Sequence, residues 1–361
     1  MDSTLEKYLS DGMERFAANA MRVTLRNPKQ SAFFIRFARA AKKAVKLRRG
    51  LEQAGEHIPT FLIASITENC NLNCAGCYAR ATHQRAKEPE LSAVEWARIF
   101  REAQELGVMV IILAGGEPML RPDVLEAAAR NKSLLFPVFT NGTMLDDKAL
   151  RFFDANRNLV PVLSIEGGEN ATDLRRGDGI FRQAAASMQV LRSMGVPYGV
   201  SLTVTKENFA VITQDDFVAE LAQSECKVVL YVEYVPFEAP ELAMDDEDRA
   251  NLSSHVDALR ESRRDLIVVS FPGDEDKSGG CLAAGRGFFH ISASGNAEPC
   301  PFSPYSDTSL RDVSVRDVLK SPLFARLSAE DILSVPHKGG CVLFQQQDVV
   351  AGMAGGVAAD G

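Results

Sequence analysis

Short apolar runs alternate with amphipathic stretches from Phe61 to Ser262, and this alternation limits the fold more than any other feature of the 361-residue chain. The apolar runs are Phe61 to Thr67, Val108 to Ala114, Leu135 to Thr140, Leu159 to Glu166, Tyr198 to Thr205 and Val228 to Val235. Helical patterns follow at Ala93 to Glu105, Asp123 to Asn131, Asp147 to Asn156, Gly179 to Met194, Gln214 to Gln223 and Asp245 to Ser262. Strands joined through helices run parallel, because a parallel neighbour is reached only by a crossover. Val-Ile-Ile-Leu-Ala at 110 to 114 is apolar throughout, as expected of a strand covered on both faces. Eight such units close a full barrel, and six fall short. The pattern predicts an α/β fold, a partial (β/α)6 TIM-like barrel that takes ligands at the C-terminal ends of its strands.

The barrel is expected over residues 59–264. Before it lies a basic helical N-terminal extension, 1–58, and after it a small domain, 265–345, in which Gly, Pro and three cysteines crowd. Residues 346–361, mostly Ala and Gly at their end, read as a flexible tail. Apolar residues at 46% and charged residues at 24% supply a sizeable core and exclude wholesale disorder. The net charge of −8 disfavours a nucleic-acid partner. That figure hides an asymmetry, since Arg15 to Arg49 holds eleven basic residues and no acidic one. The first fifty residues net +8 and the remainder −16.

On a helix over 31–49, Phe33, Phe34, Phe37, Ala38, Ala41, Ala44 and Val45 share one stripe, and Arg36, Arg39, Lys43 and Lys46 another. Ser31 is the expected N-cap. Residues 15–49 fit either an interfacial helix on an anionic membrane or a helix packed on the acidic barrel with its charges solvated. There is no apolar run long enough to span a bilayer and no secretory signal pattern, so a cytoplasmic protein is expected, membrane-peripheral if the first reading holds. An Arg-rich, acid-poor leader also fits a transit peptide.

Seven cysteines is an odd number, and three of them fall within Cys70 to Cys77, too close for a secreted disulfide scaffold. Directly after the first strand stands Cys70-Asn71-Leu72-Asn73-Cys74-Ala75-Gly76-Cys77. Three thiolates so spaced can converge on one inorganic cluster and leave a fourth iron without a protein ligand. A zinc knuckle completed by His83 is the competing reading. The second strand ends in Ala114-Gly115-Gly116-Glu117-Pro118, where two glycines allow a close approach to the backbone.

These two stretches, one βα unit apart, resemble the radical S-adenosylmethionine superfamily over residues 60 to 262. The resemblance implies that Cys70, Cys74 and Cys77 hold a 4Fe-4S cluster whose open iron chelates S-adenosylmethionine, which is cleaved reductively to a 5′-deoxyadenosyl radical that abstracts a substrate hydrogen. It implies an anaerobic enzyme, either an oxidoreductase or one that forms C-C or C-S bonds, served by a reductant such as flavodoxin or ferredoxin. Gly115, Gly116, Glu117 and Pro118 would meet the methionine ammonium. Thr140 and Asn141 at the third strand end, and Ser164 and Glu166 at the fourth, would approach ribose and methionine, with Glu166 in place of the usual Asp. Arg176, in an Arg-Arg-Gly run, is an expected partner for the cofactor carboxylate, or else a surface arginine. Many members carry an aromatic just before the third cysteine, near the adenine; here Gly76 stands there and Tyr78 follows the cysteine. Ser201, Thr203 and Thr205 give the fifth strand one hydroxylated face.

The C-terminal domain resembles the auxiliary-cluster extensions called SPASM or twitch, through Gly279-Gly280-Cys281, Gly295, Glu298-Pro299-Cys300 and Gly339-Gly340-Cys341. That resemblance implies one auxiliary Fe-S cluster on Cys281, Cys300 and Cys341, its fourth iron open or met by His337, His290 or an Asp. Structural zinc is the alternative. Cys226, at the start of a strand, is the expected buried thiol. Modification of a peptide or protein side chain is the function that SPASM-bearing relatives imply. A lipid or lipid-like substrate is the alternative, and a non-catalytic Fe-S or zinc scaffold a second one.

Overall fold

The computed structural model describes residues 27–83, 88–273, 279–335 and 340–355, the side chain of His83 excepted. Helix α1 (Pro28–Gln53) precedes strand β1 (Phe61–Ser65), short helix α2 (Tyr78–His83) and helix α3 (Ala93–Glu105). Then come β2 (Val110–Ala114), α4 (Pro122–Arg130), β3 (Phe136–Thr140), α5 (Asp147–Ala155) and β4 (Leu159–Ile165). Helices α6 (Glu169–Arg176) and α7 (Ile180–Ser193) lead to β5 (Gly199–Val204). Helices α8 (Phe209–Ile212) and α9 (Asp215–Gln223) lead to β6 (Val228–Glu233), and α10 (Asp246–Ser262) to β7 (Ile267–Phe271). All six expected strands form, each trimmed by one or two residues, and consecutive strands pair in parallel.

The helices begin where side chains can serve as caps. Ser92 and Glu95 form a reciprocal capping box on α3, Asp146 caps α5, and Asp245 with Asp248 caps α10. For α1 the expected cap Ser31 is wrong. The helix starts one turn earlier, because Asn27 accepts from the Lys29 and Gln30 amides and Pro28 supplies a preset φ at the first helical position.

With β8 (His290–Ile291) and β9 (Ala297–Glu298), the sheet runs β7-β6-β5-β4-β3-β2-β1-β8-β9 among the described residues, which makes the fold an open parallel barrel with an added edge. Strand β7 lies in the segment read from sequence as the start of the small domain. It extends the barrel instead, in register from Val228 opposite Ile267 to Val232 opposite Phe271. At the other edge β8 pairs in parallel with β1, and β9 folds back on β8. One core runs through both parts, from Trp96, Phe100 and Phe136 to Phe289, Leu310 and Leu343.

Helix α1 closes the opposite end of the barrel from the site. Phe33, Phe34 and Phe37 pack with Val110, Leu135, Val160 and Ile267, against Phe61 and Val228, which stand at or beside the N-terminal ends of six strands. The apolar stripe is thus consumed inside the protein. The interfacial-helix reading, and with it the membrane-peripheral one, loses its apolar face; the exposed residues Arg36, Arg39, Lys43 and Lys46 form the solvated side. No helix among the described residues is long and apolar enough to cross a membrane.

The tail expected over 346–361 is ordered in part. Gln347–Met353 is helical and buries Val350 and Met353, two apolar side chains that the Ala and Gly around them mask in the sequence.

Phe37 is fully buried and Ile35 is half exposed on the same helix. Phe37→Ala is expected to cost about 3–5 kcal/mol in chemical denaturation and Ile35→Ala under about 0.5 kcal/mol; equal effects would show that α1 does not plug the barrel.

Candidate radical and cofactor site

The cysteine stretch follows β1 as a loop in which Cys70 is exposed and Cys74 and Cys77 are half-buried. No disulfide involves any of the seven cysteines. Burial raises the Cys70 and Cys74 thiols above the usual range, and the nearby Arg176 and Arg175 charges pull Cys74 back toward thiolate. A zinc ion draws its ligands onto one point, whereas a cluster gives each thiolate an iron of its own. Among the described residues, no three His, Cys, Asp or Glu side chains gather as round a single ion. The side chain of His83, the proposed fourth zinc ligand, lies outside the described residues.

Backbone contact fixes this loop to the end of β2. The Gly116 amide donates to Thr67 O at 2.8 Å and the Glu117 amide to Asn69 O at 2.8 Å. A Cβ on Gly115 would stand 2.3 Å from Thr67 O, and one on Gly116 2.1 Å from Asn69 O, so only glycine permits the approach. Gly115 also has φ +126°. The two glycines let the chain approach itself, ahead of any ligand. Their carbonyls accept no hydrogen bond among the described residues.

Glu117 is 1% exposed. Its Oε1 accepts from Thr140 Oγ1 at 2.8 Å and from the Met119 amide at 3.0 Å, and its Oε2 from the Asn141 amide at 2.9 Å. Burial pushes its pKa up against these bonds. Glu117 therefore ties β2 to β3, and Pro118 beside it is buried at the start of a 3-10 turn. Asn141 continues the tie, since its amide donates to Asn71 Oδ1 at 2.9 Å and its oxygen accepts from Thr143. Thr140 and Asn141, expected near ribose, are engaged first in positioning the cysteine loop.

On the far side, Ser164 shares a hydrogen bond with Ser201 at 3.1 Å. Glu166, nearly fully buried, pairs with Arg175 at 2.5 Å and Arg176 at 2.6 Å, and accepts from the Thr203 amide at 2.9 Å. Arg176 is neither a surface arginine nor unengaged. Arg175, which sequence reasoning passed over, also donates to Thr203 Oγ1 and accepts the Ala75 amide on its carbonyl at 2.9 Å. The two arginines and one carboxylate leave one positive charge beside Cys74.

Tyr234, just past β6, is the other residue that sequence reasoning missed. A Cβ on Gly76 would lie 2.7 Å from its hydroxyl and 2.8 Å from its Cε2. An aromatic ring thus covers the position where relatives place one, but it arrives from the far side of the barrel. Tyr78 turns toward the C-terminal segment and meets Phe302 edge-on at 5.0 Å.

Cys281, Cys300 and Cys341 are all buried. Arg286 Nη1 donates to Cys281 O at 2.7 Å, and the Gly340 amide, next to Cys341, donates to Glu233 at 3.0 Å. Both ring nitrogens of His290 are already engaged, Nδ1 with Glu298 at 2.6 Å and Nε2 with Ser65 at 2.8 Å. His337 and Gly339 lie outside the described residues. Cys226 is the expected buried thiol, its pKa pushed up to about 12 by burial.

Residues 64–212 match the model of the Radical SAM superfamily. The chain belongs to that superfamily. This radical SAM chain is 28% identical to the AdoMet-dependent heme synthase of Methanosarcina barkeri, an alignment covering 81% of this chain and 90% of that protein. It is 26% identical to the PqqA peptide cyclase of Gluconobacter oxydans, over 78% and 85%. Its fold matches that of Streptococcus suis SuiB bound to the precursor peptide SuiA, with a TM-score of 0.65 at 18% identity, over 83% of this chain and 75% of that one. The chain is a radical SAM enzyme, and the scaffold reading falls. The family's cofactors are a 4Fe-4S cluster and S-adenosylmethionine, and the residues at the strand ends fit them: three thiols on one loop, two unpaired carbonyls and a net positive charge.

Gly116→Ala is expected to lose most of the cluster iron on anaerobic reconstitution while retaining its far-ultraviolet circular dichroism; full iron content would refute the backbone constraint. Glu166→Gln leaves two buried arginines uncompensated and should cost about 3 kcal/mol of stability. An unchanged melting temperature would show that the pair is idle.

Proposed function

We propose that this radical SAM enzyme abstracts a hydrogen from a peptide or protein side chain. The observation that carries the cofactor assignment is the pair of open carbonyls at Gly115 and Gly116, laid directly against the residues that lead into Cys70. Cys70, Cys74 and Cys77 would hold the cluster. The Gly115 and Gly116 carbonyls would accept from the cofactor's ammonium, and Arg176 would face its carboxylate. When bound, cluster and cofactor together supply one-electron reductive cleavage to a 5′-deoxyadenosyl radical. The chain's own part is to hold the three thiols on a braced loop and to keep one positive charge beside Cys74, which favours the thiolate. Tyr234 would cover the adenine side.

Cys281, Cys300 and Cys341 would carry one auxiliary cluster. The peptide reading is supported by the PqqA peptide cyclase relatives and by the likeness in fold to a protein crystallised with its precursor peptide. A second reading, a tetrapyrrole of the heme type, is favoured by the similarity to AdoMet-dependent heme synthases. Nothing supports a lipid substrate once the apolar face of α1 is buried. Electrons would come from a small carrier such as flavodoxin or ferredoxin.

Reconstituted protein given dithionite and S-adenosylmethionine under strict anaerobiosis should release 5′-deoxyadenosine. The triple Cys→Ala variant at 70, 74 and 77 should release none yet keep the iron of the auxiliary site; complete loss of iron would refute a second cluster. Mass spectrometry of cells with and without the protein should show a peptide of altered mass. Unchanged peptides beside altered tetrapyrroles would move the assignment to the second reading.

A further inference from the structure

At the base of the barrel, opposite the cysteine loop, lies a cavity of about 220 Å³ between the start of α1 and the ends of α4 and α5. Four of its lining residues are basic, Lys29, Arg36, Lys132 and Arg157, and one is acidic, Asp154. Asp154 is already taken twice, by Lys29 at 2.6 Å and by Arg157. No carboxylate pairs with Arg36 or Lys132 among the described residues. Among the described residues the Lys132 ammonium donates only to the neutral Asn156 amide oxygen, at 2.8 Å. Burial, and then the adjacent Arg36 charge, holds Lys132 below the ordinary lysine range, so two cations repel each other across this space.

The lining sets four cations against one carboxylate, and the two that no carboxylate meets, Arg36 and Lys132, match one dianion. A guanidinium fork and an ammonium together suit the oxygens of a phosphoryl group, and the cavity exceeds what inorganic phosphate fills. We infer that this cavity is a binding site for phosphate or a small phosphomonoester, held between Arg36 of α1 and Lys132 of the α4–β3 turn. Its occupant would bridge the helical plug to the barrel and so add to the fastening of α1 by its apolar face and by the Lys29–Asp154 pair. The competing explanation is that the cations only complement the carbonyl ends of α4 and α5, which carry partial negative charge.

The test uses the full-length reconstituted enzyme in a chloride buffer. Sodium phosphate, glycerol 3-phosphate and extra sodium chloride are each titrated while the melting temperature is followed, with affinity confirmed by calorimetry. Phosphate should raise the melting temperature saturably, by about 2–4 °C, and matched chloride should not. Tighter binding of glycerol 3-phosphate would mark a phosphomonoester as the occupant, and equal binding would mark free phosphate; both support the site. Lys132→Met should weaken binding at least tenfold, as should Arg36→Gln, whose exposed position makes it tolerable to the fold. An equal rise with chloride, no rise at all, or full affinity in Arg36→Gln would overturn the inference.

Discussion

The close approach of Gly115 and Gly116 to the Thr67–Asn69 backbone is the contact on which the rest of the site depends. At 2.1 and 2.3 Å from the neighbouring carbonyls there is no room for a Cβ, so two residues without side chains join the end of β2 to the loop that carries Cys70. The adjoining Glu117 then becomes a buried carboxylate, which is costly unless its oxygens are filled. Thr140, Met119 and Asn141 fill them, and Asn141 passes the connection on to Asn71 inside the cysteine loop. From the other side the Arg175 carbonyl takes the Ala75 amide while its guanidinium is pinned by Glu166, which is itself anchored to β5 through Thr203. The loop is thus braced from β2 and β3 at one end and from β4 and β5 at the other. A flexible Cys-rich segment becomes a fixed one because its supports are strand ends rather than other loops.

Much of this was legible in the sequence, and the parts that were not share a cause. Strands and helices that bury a periodic face announce themselves, so β1 to β6 and their helices emerge close to their observed bounds. Strand β7 was missed because Ile267–Phe271 is a single short run beside a segment rich in Gly and Pro, and only its pairing with β6 shows where it belongs. The C-terminal helix was hidden by composition, since two buried residues, Val350 and Met353, outweigh the Ala and Gly around them. At the site, the residue types were readable and their roles less so. Glu117, Thr140 and Asn141 were expected to reach for a ligand, and each spends its hydrogen bonds first on a neighbouring strand end. Nothing local in the sequence could connect Gly76 with Tyr234, because that contact exists only once β6 lies across the barrel from the cysteine loop.

The C-terminal segment is attached to the barrel by the sheet itself. Because β8 pairs with β1, His290 stands opposite Ile63 and Ile291 opposite Ala64, and the strand that leads to Cys70 has the hairpin that leads to Cys300 as its direct neighbour. Their spacing is therefore set by backbone hydrogen bonds, which do not stretch, rather than by a linker. The buried Ser65–His290–Glu298 chain adds side-chain bonds at the same junction. Above it the space is filled by rings: Tyr78, one residue past Cys77, lies edge-on to Phe302, two residues past Cys300, and Phe302 meets Phe237 and Phe271 in turn. Cys77 and Cys300 both lie near enough to the Tyr78 hydroxyl for their charges to act on it, so this ring cluster stands between the two cysteine groups. An auxiliary group placed at Cys300 would therefore stand at a separation from the cysteine loop that the shared sheet sets, close enough for the charge on one to be felt by the other.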